Sequence, residues 1–144
     1  MAAQRSAEVT WEGTLLEGGG SAAMVSSGAF GEFPVTWASR AEDPEGRTSP
    51  EELLAAAHAT CYAMALSHHL AGKETPPEQL KVRATYTLVP GTGITAVELA
   101  VQAKVPSLTE ADFEREAAEG EQKCPVSGAV RNNVEISLTA SLAS

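Results

Sequence analysis

Two cysteines, Cys61 and Cys124, carry the most reactive side-chain chemistry in this chain, and their surroundings differ. Cys61 lies in an apolar, alanine-rich stretch, residues 53–70, that reads as a buried helix. Cys124 directly precedes a proline in Cys124-Pro125-Val126-Ser127-Gly128, which reads as a loop entering a short helix. A helix N-terminus carries a partial positive charge that favours a thiolate, the reactive form of cysteine. One thiol inside a helix and a second poised at a helix start read as a redox pair. The plainer reading makes Cys61 a small apolar filler in a core helix, a common fate of a free cysteine. It makes Cys124 a buried thiol beside a helix start. Two cysteines cannot build a zinc finger without His or carboxylate ligands, and there is no Cys-x-x-Cys pair.

Three charged or titratable residues stand near these thiols in sequence. Glu51 belongs to the same predicted helix as Cys61, and ten steps of about 100° leave the two about 80° apart around the axis, so both can border one cleft. His58, at i+7, lies almost above Glu51. Glu51 also reads simply as a first-turn acid that complements the helix dipole. Arg40 follows a strand pattern and precedes a polar loop, residues 41–47. A cation beside a thiol lowers its pKa and can position an oxygen-bearing substrate, whereas a solvated strand-end Arg does neither. His68 and His69 are adjacent, point about 100° apart, and sit in the last helical turn, a poor arrangement for sharing one metal. Gly18-Gly19-Gly20 lacks the Lys-Ser or Lys-Thr of a phosphate loop and reads as a turn.

The elements that must position these residues follow from periodicity. Ala7 to Glu12 alternates as a half-buried strand does, and Ala22 to Val25 and Phe33 to Trp37 give further short strands. Pro34 puts the last at an edge or a strand start. A helix start follows: Ser49 as N-cap, Pro50 at the first helical position, and Glu52 completing a Ser-x-x-Glu capping box. This helix runs to about Leu70 and stops at Gly72. It is nearly apolar all round and rich in Ala, which reads as buried, with small side chains that admit close neighbours. Leu80 to Leu88 and Ile94 to Val101 alternate as two strands joined by the hairpin signal Pro90-Gly91-Thr92-Gly93. Thr109 caps a second helix through Glu119, Cys124-Pro125 opens a third, and Val134 to Ala140 reads as a final strand. The expectation is one α+β domain over residues 1–144, with antiparallel strands on two sides of a central helix.

Composition bounds the class of function. The chain has 144 residues, 43% hydrophobic and 20% charged, enough for one domain with its own core. A net charge of −9 with scattered basic residues argues against nucleic acid and anionic membrane surfaces as partners. Trp11, Phe33 and Trp37 therefore read as core or interface rather than a base-stacking platform. Nothing in the first residues resembles a signal peptide, and no apolar run reaches the ~18 residues of a membrane span. The expected location is cytoplasmic, where a catalytic or transient disulfide is more plausible than a structural one.

The run Thr48-Ser49-Pro50-Glu51-Glu52-Leu53-Leu54-Ala55-Ala56-Ala57-His58-Ala59-Thr60-Cys61 resembles the nucleophile helix of the OsmC/Ohr family, the osmotically inducible and organic-hydroperoxide-resistance thiol peroxidases. Cys124-Pro125-Val126-Ser127 is similar to that family's second-cysteine motif, and the order of elements matches along nearly the whole chain. In the Ohr branch the essential Arg comes from the N-terminal strand region. Here that region, Leu15-Leu16-Glu17-Gly18, holds none. Arg40 and Trp11-Glu12-Gly13 resemble the OsmC branch instead.

The resemblance implies an OsmC-like α+β fold, an intertwined homodimer with antiparallel sheets wrapped around long central helices and two active sites at the subunit interface. It implies that Cys61 is the peroxidatic thiolate, which becomes a sulfenic acid, and that Cys124 resolves it as an intramolecular disulfide. Arg40 would stabilise the thiolate and position the hydroperoxide, and Glu51 would hold Arg40 in a bidentate ion pair. No metal or bound organic cofactor would be needed. An external dithiol reductant, of lipoyl type or another small dithiol, would regenerate the thiols. Two alternatives stand beside this reading: a noncatalytic dimer that binds a hydrophobic ligand and uses Cys61 only in packing, and a redox sensor that passes its disulfide to a partner.

Overall fold

The computed structural model describes residues 2–143. In chain order the elements are β1 (Glu8–Glu12), β2 (Gly19–Ala23), β3 (Glu32–Val35), α1 (Trp37–Ala41), α2 (Pro50–Gly72), β4 (Gln79–Val89), β5 (Gly93–Lys104), α3 (Glu110–Gln122), α4 (Pro125–Val130) and β6 (Glu135–Leu142). Contacts group them into two compact units, residues 2–53 and 54–143, and α2 runs from the first into the second.

The first unit is an antiparallel sheet of order β1-β2-β3 followed by α1. Three local expectations change here. The alternating Ala7–Glu12 stretch forms β1, but β1 is exposed along its whole length rather than half-buried. The glycine run is not the turn: Gly19 and Gly20 already belong to β2, and the chain reverses earlier, where Gly18 N–H donates to Thr14 O at 2.7 Å. The cause is a close approach. Gly20 pairs with Trp11, and a Cβ on Gly20 would lie 2.9 Å from the indole carbon Cε3. The strand pattern at Phe33–Trp37 also ends early, at Val35, because Thr36 caps α1. Thr36 Oγ1 accepts from Ser39 N–H at 3.1 Å, and Ser39 Oγ accepts from Thr36 N–H at 3.2 Å. Arg40 thus sits in the last turn of a short helix, not at a strand end.

The start of α2 follows its sequence signal: Ser49 Oγ accepts from Glu52 N–H at 3.1 Å. From Leu54 onward the helix belongs to the second unit, where it packs against a sheet of order β4-β5-β6 and against α3. Tyr62, Leu66 and Leu70 meet Val97, Leu99, Val101 and Ala103 of β5 and Phe113 and Ala117 of α3, all nearly solvent-free. Alternate residues of β5 supply that face, as period-two side-chain geometry requires. Gly120 on α3 lets the two helices touch: a Cβ there would lie 2.8 Å from Leu66 Cδ1 and 3.3 Å from Leu66 Cα.

Two further corrections concern this unit. β4 and β5 form the expected antiparallel hairpin, but β6 runs parallel to β5, so the sheet is mixed. Parallel pairing needs a crossover of a dozen or more residues, and α3 and α4 supply it. In addition, α2 is not buried all round in the single chain. His58, Tyr62, Leu66, His69 and Leu70 are buried, while Ala56, Ala57, Thr60, Met64 and Ser67 are exposed. The protein layers of this chain cover one face of the helix, and the face of small side chains is left open.

Candidate active site

The four residues singled out in the sequence stand as two pairs. The first is Arg40 with Glu51. The guanidinium Nε donates to Glu51 Oε1 at 2.9 Å and Nη2 donates to Oε2 at 3.0 Å, a two-point contact. The Glu51 carboxylate is largely buried at the first turn of α2, and Arg40 lies over the Trp37 ring, 5.9 Å from its centroid. The hydrogen bond to Glu51 pushes the already high Arg40 pKa up further, against the opposing cost of burial. An apolar cavity of about 380 Å³ opens beside Arg40 within the first unit, lined among others by Trp11, Val35, Trp37 and Leu53.

The second pair is Cys61 with Cys124. Both are free thiols, Cys61 half-buried on α2 and Cys124 buried at the N-cap of α4, and they stand 3.4 Å apart. Burial pushes the Cys61 thiol above its ordinary pKa. The backbone N–H of Val126 works in the opposite direction, and the neighbouring Cys124 thiol raises it again. Cys124 itself makes no side-chain cap hydrogen bond, and the lowering effect of the α4 start falls on Cys61 through Val126 rather than on Cys124 as its place in the sequence leads one to expect.

Around the thiols lies a buried polar chain. His58, fully buried one turn before Cys61, has Nδ1 2.7 Å from Tyr86 Oη on β4 and Nε2 2.7 Å from Ser127 Oγ on α4. Burial pushes the His58 pKa down, with Glu121 opposing and Arg131 assisting, so the ring is neutral. Beyond Ser127, Arg131 Nη2 donates to Glu121 Oε1 at 2.8 Å. His58 is thus a buried residue with both ring nitrogens in hydrogen bonds. Tyr86 and Ser127 were not singled out by sequence reasoning. Tyr86 carries only the inward phase of β4, and Ser127 only its place in the second-cysteine motif.

His69, Glu116 and Glu119 form a group whose ligand atoms lie within 4.8 Å of one another. Both ring nitrogens of His69 already face protein groups, Nε2 at 2.6 Å from Glu116 Oε2 and Nδ1 at 2.9 Å from Lys123 Nζ. His68 is exposed.

The sequence pattern of OsmC-like proteins matches residues 42–139. The chain belongs to the OsmC-like protein family. It is 31% identical to peroxiredoxin OsmC of Escherichia coli strain K12 over 139 residues, 94% of this chain and 96% of that protein. A shorter match, 30% over 95 residues, covers 64% of this chain and 66% of an organic hydroperoxide resistance protein of Xanthomonas axonopodis pv. citri. The fold is similar to the crystal structure of an organic hydroperoxide resistance protein from Elizabethkingia anophelis, with a TM-score of 0.72 at 24% identity over 99% of this chain and 100% of the other. The α+β OsmC-like fold expected from the motifs is the fold observed, with β6 parallel as described. No helix of the described residues is long and apolar enough to cross a membrane.

Proposed function

We propose that this protein is a two-cysteine hydroperoxide reductase that acts in oxidative-stress defence on organic hydroperoxides and on hydrogen peroxide. The observation that carries the reading is the 3.4 Å approach of Cys61 and Cys124 in a member of the OsmC-like family. The Cys61 thiolate attacks the outer peroxide oxygen, the O–O bond breaks, and the alkoxide leaves as an alcohol after taking a proton. Cys61 is then a sulfenic acid. The Cys124 sulfur attacks it, water leaves, and a disulfide forms. An external dithiol, of lipoyl type or another small dithiol, returns two electrons by thiol–disulfide exchange. A reducing cytoplasm supplies such a reductant.

Arg40, fixed by Glu51, is the cation of this scheme. It stabilises the thiolate and orients the hydroperoxide. The four groups, the peroxide and the dithiol suffice, with no metal or organic cofactor. The chain acts as a single domain in a homodimer. The exposed apolar side chains Val9, Leu16, Phe30 and Met64 and the small-residue face of α2 support burial against a second copy.

A second reading, a noncatalytic dimer that binds a hydrophobic ligand, draws on the apolar cavity beside Trp37. A redox sensor that hands its disulfide to a partner draws on the same thiol pair. One experiment separates the ligand-binding reading from the two redox readings: intact mass of the reduced protein after one equivalent of cumene hydroperoxide, with multiple turnovers on excess peroxide and dithiol then setting the reductase apart from the sensor. Turnover chemistry predicts a loss of about two mass units, both cysteines protected from alkylation, and reversal by dithiol. No rapid change would bring the ligand-binding reading forward.

A further inference from the structure

We propose that His58 is a positioning residue: its hydrogen bond to Ser127 holds the first turn of α4 so that Cys124 meets Cys61. The inference rests on the reading of these cysteines as a redox pair.

Six residues are too few for an isolated helix to persist in water, so α4 takes its place from anchors. Val126 and Val130 pack on the core, and Arg131 binds Glu121 at the far end. Among the described residues, the side chain of this turn that is gripped by α2 is Ser127, whose Oγ meets His58 Nε2 at 2.7 Å. The other His58 nitrogen meets Tyr86, so the ring cannot turn without losing a buried hydrogen bond. A neutral imidazole offers one donor and one acceptor, and two hydroxyls satisfy either tautomer.

One turn of α2 and one turn of α4 therefore meet at two points. Cys61 faces Cys124 at 3.4 Å, and His58 binds Ser127. The first involves the reacting sulfur and changes as it is oxidised. The second does not. It keeps Cys124 within reach when Cys61 has become a sulfenic acid and its own contacts have been rearranged. In effect it raises the local concentration of the second thiol.

The test is the reduction potential of the full-length protein in glutathione buffers. Glutathione disulfide takes two electrons and both thiol protons from Cys61 and Cys124, giving one protein disulfide and two glutathione thiols. Ser127→Ala is expected to lower the equilibrium constant for disulfide formation about tenfold, a rise in potential of about 30 mV. After one equivalent of cumene hydroperoxide, the same variant should close its disulfide about tenfold more slowly, with dimedone-trappable sulfenic acid formed at the wild-type rate. Tyr62→Phe, which removes a buried hydrogen bond from Tyr62 Oη to Ala117 O on α3 and leaves the Ser127 contact in place, should leave the potential unchanged. A wild-type potential and closing rate in Ser127→Ala would overturn the proposal, as would an equal shift in Tyr62→Phe. If the wild-type protein forms no disulfide in these buffers, the redox-pair reading falls and the tether with it.

Discussion

Glu51 meets Arg40 side-on, taking Nε on one carboxylate oxygen and Nη2 on the other. Two-point contact fixes the guanidinium in orientation as well as in place. Glu51→Gln keeps the shape but loses the charge and one acceptor. Its kcat/KM for cumene hydroperoxide, at saturating dithiol, should fall about 10- to 100-fold. Arg40→Lys should fail to recover activity, because an ammonium cannot make the paired contact. Wild-type turnover in Glu51→Gln would remove the pair from the mechanism.

The Cys124 thiol contributes to the raised pKa of Cys61. Taking that neighbour away in Cys124→Ala should shift the pH midpoint of Cys61 alkylation by iodoacetamide to lower pH. Burial remains, so the midpoint stays above that of a free thiol. A midpoint that moves up would mean that Cys124 helps the thiolate instead.

Burial of His58 makes folding stability depend on pH. Its folded-state pKa lies below the unfolded value of about 6.5, so the unfolded chain binds the proton first as pH falls. Stability on this account is full above the unfolded value and is lost as pH drops below it, towards the folded value. Urea midpoints measured between pH 7.5 and 5 should fall for the wild type and fall less for His58→Gln. Parallel curves would place the pH dependence elsewhere.

Gly120 tests the contact between α2 and α3. Gly120→Ala improves intrinsic helix propensity yet sets a methyl group against Leu66. Overpacking should win, with a net cost of about 1–2 kcal/mol by urea denaturation. In a Leu66→Ala background the same change should cost less, giving a coupling energy between the two sites.

Met64, two-thirds exposed on the open face of α2, reports on assembly. Sedimentation should give a dimer for the wild type and a monomer for Met64→Glu, with the far-ultraviolet circular dichroism of the chain preserved. A monomeric wild type would remove the second copy.

Much of this arrangement was legible in the residues. Ser49-Pro50-Glu51-Glu52 marks the start of α2, Thr109 caps α3, and Cys124-Pro125 opens α4, because capping chemistry is local and needs no tertiary knowledge. Family membership was legible for the same reason, since its motifs lie on those starts. The direction of β6 was not, because alternation is identical in parallel and antiparallel strands. Nor was α1, whose Thr36–Ser39 box lacks the usual acidic partner and follows a strand-like run. The His58–Ser127 contact joins positions far apart in sequence, which no periodicity can register.

The parallel pairing of β6 also bears on how the chain acquires its thiol pair. β4 and β5 zip from a tight hairpin, whereas Ala96 must wait for Glu135, across the whole of α3 and α4. Pairings distant in sequence form late, because loop closure comes before their reward. Cys124 lies inside that slow loop. Cys61 and Cys124 are themselves far apart in sequence, so their approach is a distant contact of the same kind, and it belongs to the part of the fold that local turns and caps do not set.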